Sequence, residues 1–297
     1  MGAPTDVGAS VLGASMGPDA LRIAGVLQAL RARGLDVADH GNLAGPINPQ
    51  QGAHDGFRHL TEVVAWNQSV FAAVANALAD GRLPLLVGGD HCLAIGSISA
   101  VAQHCRQHGK RLKVLWLDAH ADTNTPAMTP SGNLHGMPVA CLLGHGPASL
   151  TALGGATALQ PVQINLIGVR SVDAAEKQFV NALGIEVYDM RYIDERGVRG
   201  AVDQVLRSVD SGTHLHLSFD MDGLDPDIAP GVSTPVRGGL GYREAQLLME
   251  MLADCGQLGS VDVMELNPAR DVRNQTAELA VDLLESLFGK STLVRAP

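Results

Sequence analysis

The chain has 297 residues, 34 of them glycine and 15 proline, enough to bury a sizeable core as one large α/β domain or two small ones. Hydrophobic residues make up 46% and aromatics only 3%, so that core has to be aliphatic. A formal charge of −10 argues against a nucleic-acid or anionic-membrane surface.

Taken in chain order, the opening MGAPTDVGAS has neither a basic region nor an apolar run, so no signal peptide is expected. Pro18 begins a helical pattern that stops at Gly34, with proline and glycine at the ends where helices favour them. Residues 35–40, LDVADH, read as a strand. After a polar loop, a helix is expected over 60–79, then a short apolar strand, PLLV, broken by the pair Gly88 and Gly89. The alternation continues with helix 93–107, strand 113–118, helix 134–143, strand 162–168, helix 173–182 and strand 185–189. Helix 196–208, strand 214–220, helix 242–254, strand 260–265 and helix 275–288 complete it. Nowhere do 18 residues run apolar, so no membrane span is expected. Cys92, Cys105, Cys141 and Cys255 form no CxxC pair, which suits reduced thiols and a cytoplasmic setting.

Strands alternating with amphipathic helices, without hairpin turns, predict a parallel sheet covered by helices on both faces. No internal repeat or long linker divides the chain, so residues 1–297 are read as one three-layer α/β domain with a mostly parallel central sheet.

In such sheets ligands bind beyond the carboxyl ends of the strands, and the ionisable residues collect there. LLVGGDH delivers Asp90 and His91, and VLWLDAHAD delivers Asp118, His120 and Asp122. HLHLSFDMDG delivers Asp220 and Asp222, and SVDVMELNP delivers Glu265. A single strand-end Asp is ordinarily a cap or turn residue; four strands aiming acids and imidazoles at one edge point to metal. Four aspartates carry the charge that two divalent cations balance, and oxygen-rich sites with some imidazole suit Mn²⁺ ahead of Mg²⁺.

The motifs GGDHC, DAHADTNTP, SGNLHGMP, SFDMDGLDPDIAPGVSTPVRGG and MELNPARD together resemble the arginase branch of the ureohydrolase family. The resemblance runs through nearly the whole chain. It implies an arginase-like fold and a pair of Mn²⁺ ions bridged by Asp118 and Asp220, with His91 and Asp122 completing one ion and His120 and Asp222 the other. It further implies hydrolysis of L-arginine to L-ornithine and urea by a metal-bridging hydroxide that Asp122 orients. Glu265 is implied to pair with the substrate guanidinium and His135 to relay protons. Asn124, Ser131, Asn133 and Asp173 match positions that read the amino-acid end of the substrate, and Thr234 matches a pocket threonine. Homotrimers or homohexamers are implied as well. The rival readings are an agmatinase or guanidinobutyrase, a single-metal deacylase of the same fold, and a non-catalytic relative.

The chain departs from the family at Cys92, where serine is common, at GVSTP in place of GTGTP, and at Ser171, where some relatives have an acid. The family's first apolar strand, expected inside an eight-stranded sheet, has no counterpart before residue 2. His214 and His216 are expected to be partly buried sheet residues, and Asp90 to orient His91 or a turn.

Overall fold

The computed structural model describes residues 1–291. In chain order the elements are β1 (Gly2–Ala3), α1 (Gly17–Ile23), α2 (Val26–Ala32), α3 (Leu60–Ala79), β2 (Leu85–Gly88), α4 (Ala94–His108) and β3 (Arg111–Leu117). There follow α5 (Pro138–Leu142), α6 (Ala148–Thr151), β4 (Ile164–Ile167), α7 (Ala174–Leu183), β5 (Glu186–Tyr188) and α8 (Met190–Leu206). The last are β6 (Thr213–Asp220), α9 (Tyr242–Asp254), β7 (Leu258–Met264) and α10 (Gln275–Leu287). Every strand pair is parallel, in the order β1-β2-β7-β6-β3-β4-β5.

Period-two alternation sorts the strand side chains between two apolar layers. On one face Val114 and Trp116 of β3 pack with α3, α4 and α5. On the other, Leu115 and Leu117 join Leu215, Leu217 and Phe219 of β6 against α1, α2, α8, α9 and α10. This is the three-layer arrangement expected for such a chain. Among the described residues no helix is long and apolar enough to cross a membrane.

Seven strands are present, but one is not where the alternation put it. Residues 35–41 form no strand, and the pairing goes instead to Gly2–Ala3. Val87 N donates to Met1 O (2.9 Å) and Gly89 N to Ala3 O (3.0 Å), so the chain start occupies the outer edge of β2. The segment at 39–43 reaches the sheet only through Gly2, whose N–H donates to Gly41 O (2.9 Å) while its carbonyl accepts from Leu43 N (2.8 Å). Side chains tie it down elsewhere: Arg22 Nε donates to Asp39 (2.9 Å) and Arg22 Nη1 to Asn42 (2.5 Å). A strand pattern was present, but its ladder partner was already taken. The single helix expected from Pro18 to Gly34 breaks into two at Gly25, whose φ of 90° is left-handed. The stretch expected to be a helix from 134 begins as one 3₁₀ turn, and Pro138 starts the α-helix.

The order of the strands positions the site. β2, β7, β6 and β3 are contiguous in the sheet, and they are the four strands whose ends carry the acids and imidazoles. Leu117 pairs with Phe219, and Asp220 with Met264, so Asp118, Asp220 and Glu265 emerge side by side. Where β2 ends, the backbone crosses residues 3–5 so closely that a Cβ on Gly89 would lie 1.6 Å from Thr5 O. Asp90 N donates to the same carbonyl (3.0 Å). Neither backbone can retreat without losing ladder bonds, so Gly89→Ala is expected to lower stability by about 3 kcal/mol or more, read as a fall in Tm. An unchanged Tm would show that the crossing relaxes freely.

Candidate metal centre

β3 delivers Asp118 directly after Leu117, with Asp118 N bonded to Ile167 O (3.0 Å) of β4. Ala119 and Ala121 are fully buried, which leaves the alternate residues to face the rim. The extended backbone that alternation suggested ends at Asp122, which turns left-handed at φ 51°. The turn brings Asp122 back towards Asp118. β2 leads through Asp90 into a 3₁₀ turn that starts at His91. β6 ends on Asp220 and runs into a second such turn containing Asp222.

These side chains meet. His91 Nδ1 lies 2.9 Å from Asp220 Oδ2, 3.1 Å from Asp118 Oδ2 and 3.5 Å from Asp122 Oδ2. His120 Nδ1 lies 3.1 Å from Asp222 Oδ2 and 3.3 Å from Asp118 Oδ1. Two groups, His91–Asp118–Asp122 and Asp118–His120–Asp222, each offer ligand atoms within 4.8 Å of one another, and Asp118 belongs to both. Asp220 joins the first group through His91.

Neighbours hold three of these side chains, His91, Asp118 and Asp222. His91 stacks on Trp116 with ring centroids 4.0 Å apart, and its Nε2 meets Ser218 Oγ at 2.9 Å. Trp116 Nε1 donates to Asp118 (2.9 Å), Ala119 N to Asp222 (3.1 Å) and Thr234 Oγ1 to Asp222 (3.0 Å). Asp90 accepts from Cys92 N (3.0 Å) and Gly8 N (2.7 Å), so it holds the turn that carries His91. Cys92 is buried, with its thiol pushed well above the ordinary range by burial and by Asp90.

The charge balance shows what the site would suit. Burial, then the charge of Asp118, drives the Asp122 and Asp222 carboxyls above their ordinary range, and burial with Asp222 and Asp118 does the same to Asp220. Asp118 goes the other way: burial opposes its charge, but hydrogen bonds from His120 and His91 outweigh that. Burial likewise opposes the charge on His120, yet Asp222 and Asp118 raise it to about 12. The two imidazoles are thus drawn towards imidazolium by the surrounding acids. A donor set that recruits positive charge in this way fits divalent cations, which would leave both rings neutral and ligating.

Next to the carboxylates, Glu265 follows β7 with a left-handed φ of 62°. Its Oε1 accepts from His91 N (2.9 Å) and faces His135 Nδ1 (3.3 Å). Its Oε2 is buried and, among the described residues, has no hydrogen-bond partner. His135 is raised above its usual value; burial opposes the charge, and Glu265 overcomes it. Above these groups lies a cleft of about 300 Å³ lined by His120, Asp122, Asn124, Ser131, Asn133, His135, Asp173 and Thr234, with Thr129, Ser171 and Glu176. Asn124 Oδ1 is buried without a partner among the described residues. Asn133 is engaged by Arg58 Nε (2.7 Å) and Ser10 Oγ (3.0 Å), and Ser131 Oγ accepts from Asn133 N (3.2 Å). Asp173 is exposed at the rim and caps α7.

Two residues the sequence reading passed over belong to this structure. Glu176 is buried beneath the cleft and accepts from Thr123 N (2.8 Å) and Oγ1 (3.1 Å). The capping-box spacing from Asp173 to Glu176 was the available signal. Arg170 donates to the carbonyls of Asp222 (2.7 Å), Leu224 (3.1 Å) and Val236 (2.8 Å), fixing the turn that carries Asp222. A lone arginine after an apolar strand gave no warning of that.

Comparison with known proteins shows what the whole chain is similar to. The family model described as "Arginase family" matches residues 1–289. The arginase of Bacillus caldovelox is 43% identical over 299 residues, spanning 99% of this chain and 98% of that one. A crystal structure of arginase from Bacillus cereus superposes with a TM-score of 0.91 at 40% identity, covering 98% of each chain. Entamoeba histolytica arginase in complex with L-ornithine gives 0.89 at 30% identity, covering 97% of each.

Asp122 allows a test of the cation fit. Asn tolerates left-handed backbone as Asp does, so Asp122→Asn removes charge without strain. The metal-free variant is expected to melt above the metal-free parent by a few degrees, for roughly 1 kcal/mol of relieved repulsion. The rise in Tm on adding Mn²⁺ is expected to shrink. A variant that gains nothing metal-free and keeps the full Mn²⁺ response would remove Asp122 from the cation site.

Proposed function

The chain belongs to the arginase family, and on that premise we propose that it hydrolyses L-arginine to L-ornithine and urea with two Mn²⁺ ions held by His91, Asp118, His120, Asp122, Asp220 and Asp222. The observation that carries the substrate reading is Glu265 Oε2, a buried carboxylate oxygen without a donor, set beside the cation site. A buried acceptor left open costs free energy until a donor arrives. The N–H groups of a planar guanidinium are suited to it by charge and shape.

When bound, the ions supply Lewis acidity and lower the pKa of water enough for attack at neutral pH. The remaining work falls to the chain. Glu265, braced by His91 N and His135, fixes the guanidinium so that its carbon faces the rim, which reduces the entropic part of the barrier. Asp122 accepts a hydrogen bond from the attacking water and orients it. His135 lines the cleft within reach of Glu265 and hands a proton to the departing ornithine amine. Asn124, with its free buried Oδ1, reads the α-amino or carboxylate end along with Ser131, Asn133 and Asp173, and Thr234 steadies Asp222. A cytoplasmic homotrimer or homohexamer is carried over from the family resemblance, the first point also from the four free cysteines.

The competing reading is agmatinase or guanidinobutyrase activity, which shares the chemistry but not the amino-acid end of the substrate. Urea release is to be measured with added Mn²⁺ on arginine, agmatine and guanidinobutyrate under identical conditions. Arginine is expected to give the highest kcat/KM by a wide margin; a higher value for agmatine would overturn the assignment. Asp122→Asn is expected to abolish nearly all turnover. His135→Asn is expected to leave a partly active enzyme, down roughly 10²-fold in kcat, and full activity at every pH would take His135 out of the mechanism.

A further inference from the structure

The opposite rim of the sheet, where the strands begin, has a second cleft of about 590 Å³. It lies at the start of β3, roughly 20 Å along the strand from Asp118. Four cationic residues line it, Arg106, Lys110, Arg111 and Lys113, and no acidic residue does. In a chain of net charge −10 this is a local reversal of sign.

The four cations are poorly neutralised. Among the described residues only Arg111 has a carboxylate partner, Asp210. Lys113 is 8% exposed, and its Nζ donates to a carbonyl, Val162 O, at 3.2 Å. Burial pulls its amine below the ordinary lysine value against the more distant charge of Glu186. Glu186 Oε2 accepts from Asn165 Nδ2 (2.7 Å) and Tyr188 OH (3.1 Å), and no hydrogen bond links it to Lys113 among the described residues. Arg106 is exposed and uses Nη2 on Gly154 O (3.1 Å). A buried ammonium without a hydrogen-bonded counterion is an expensive feature for a fold to keep. Leucine or methionine at 113 would fill the same place at lower cost.

We propose that this cleft is a binding site for a compact, multiply charged oxyanion, with Lys113 at its floor and Arg106, Lys110 and Arg111 around its mouth. Phosphate and carboxylate groups share the chemistry the cleft recognises: several acceptor oxygens and a charge of two or more, met by guanidinium forks and ammonium groups. Thr157 and Gln160 line the same walls and offer neutral donors. The site is separate from the carboxylate rim and takes the opposite sign of charge, so it binds no guanidino substrate.

Isothermal titration of the Mn²⁺-loaded full chain with inorganic pyrophosphate tests this. One site per chain is expected, weakened by about tenfold or more in the double variant R106Q/K110Q, whose two exposed charges are lost. Chelation at the acidic rim is common to both proteins and cancels in the comparison, and arginine turnover without the anion is expected to be unchanged. Lys113→Met is the second arm: it is expected to raise Tm by removing a buried charge while abolishing pyrophosphate binding. Citrate separates the two oxyanion chemistries. Citrate binding that exceeds pyrophosphate binding and falls in both variants keeps the cleft and makes the ligand a polycarboxylate. Equal affinities in parent and variants for both probes, or no binding up to about 10 mM, overturns the proposal.

Discussion

Negative charge packed into one buried rim is the constraint on which the rest of this structure depends. Asp118, Asp122, Asp220, Asp222 and Glu265 are each at most 6% exposed, and they stand on the ends of three neighbouring strands. At about 4 Å and an effective dielectric near 20, each pair of unit charges repels by roughly 4 kcal/mol. No set of backbone hydrogen bonds offsets several such pairs. Much of the surrounding architecture therefore holds these groups in place against their own repulsion: Trp116 on Asp118, Ala119 N and Thr234 on Asp222, and Arg170 on the backbone behind it. Cations are the remaining component, and the elevated imidazoles of His91 and His120 show where positive charge is drawn.

The same constraint explains a row of polar residues inside the sheet. β6 turns one apolar row, Leu215, Leu217 and Phe219, towards the helices of one face. Its other row is His214, His216, Ser218 and Asp220, all buried. The two histidines are more deeply buried than the sequence suggested. His214 Nε2 and His216 Nδ1 each meet Ser260 Oγ at 2.8 Å, and His216 Nε2 lies 3.2 Å from Asp262, which accepts from Ser97 Oγ (2.7 Å). Burial holds His214 down to about 3, so it is a neutral partner there. Polar groups of adjacent strands meet beneath the rim, with His216 Nε2 and Asp262 Oδ2 left without a hydrogen bond among the described residues. His91 is anchored to the same strand through Ser218.

How much could be read beforehand depended on whether a feature was local. The rim was legible because its acids and imidazoles follow apolar runs within about five residues, and parallel strands carry such ends to one edge of the sheet. The three-layer fold was legible from the alternation of helical and strand periods. Residues 35–40 were misread because period-two alternation says nothing about which edge is vacant, and β2's outer edge had been taken by residues 1–3. Gly25 divides a helix whose apolar spacing is continuous, since one left-handed residue leaves the pattern intact. Glu176 and Arg170 act on backbone groups distant in sequence, which the capping-box spacing of Glu176 does not reveal and no pattern around Arg170 reveals either. The basic cleft escaped notice for a similar reason: Arg106 and Lys113 stand on different elements, α4 and β3, and line one cleft only in the folded chain.

Two of the seven described non-glycine residues with left-handed backbone, Asp122 and Glu265, stand at this rim. For Asp122 the conformation is mild, because its short side chain suits that region. For Glu265 it is a strain of order 1 kcal/mol or more, since a long side chain gains nothing locally from it. The neighbours show what maintains it. Glu265 N donates to Gly89 O (2.8 Å), and the following residue, Leu266, bridges to Val232. The chain is therefore held on both sides of Glu265 and has to reverse its course there. An ordinary extended residue at 265 would continue the alternation of β7 and send the side chain to the opposite face from Asp262 and Met264's neighbours at the rim. The left-handed turn sets the carboxylate beside His91 and His135 instead, with one oxygen braced and the other open. The strain, the Oε2 without a partner among the described residues and the Gly89 crossing thus belong to one arrangement, in which backbone and side chain are both held away from their individual minima.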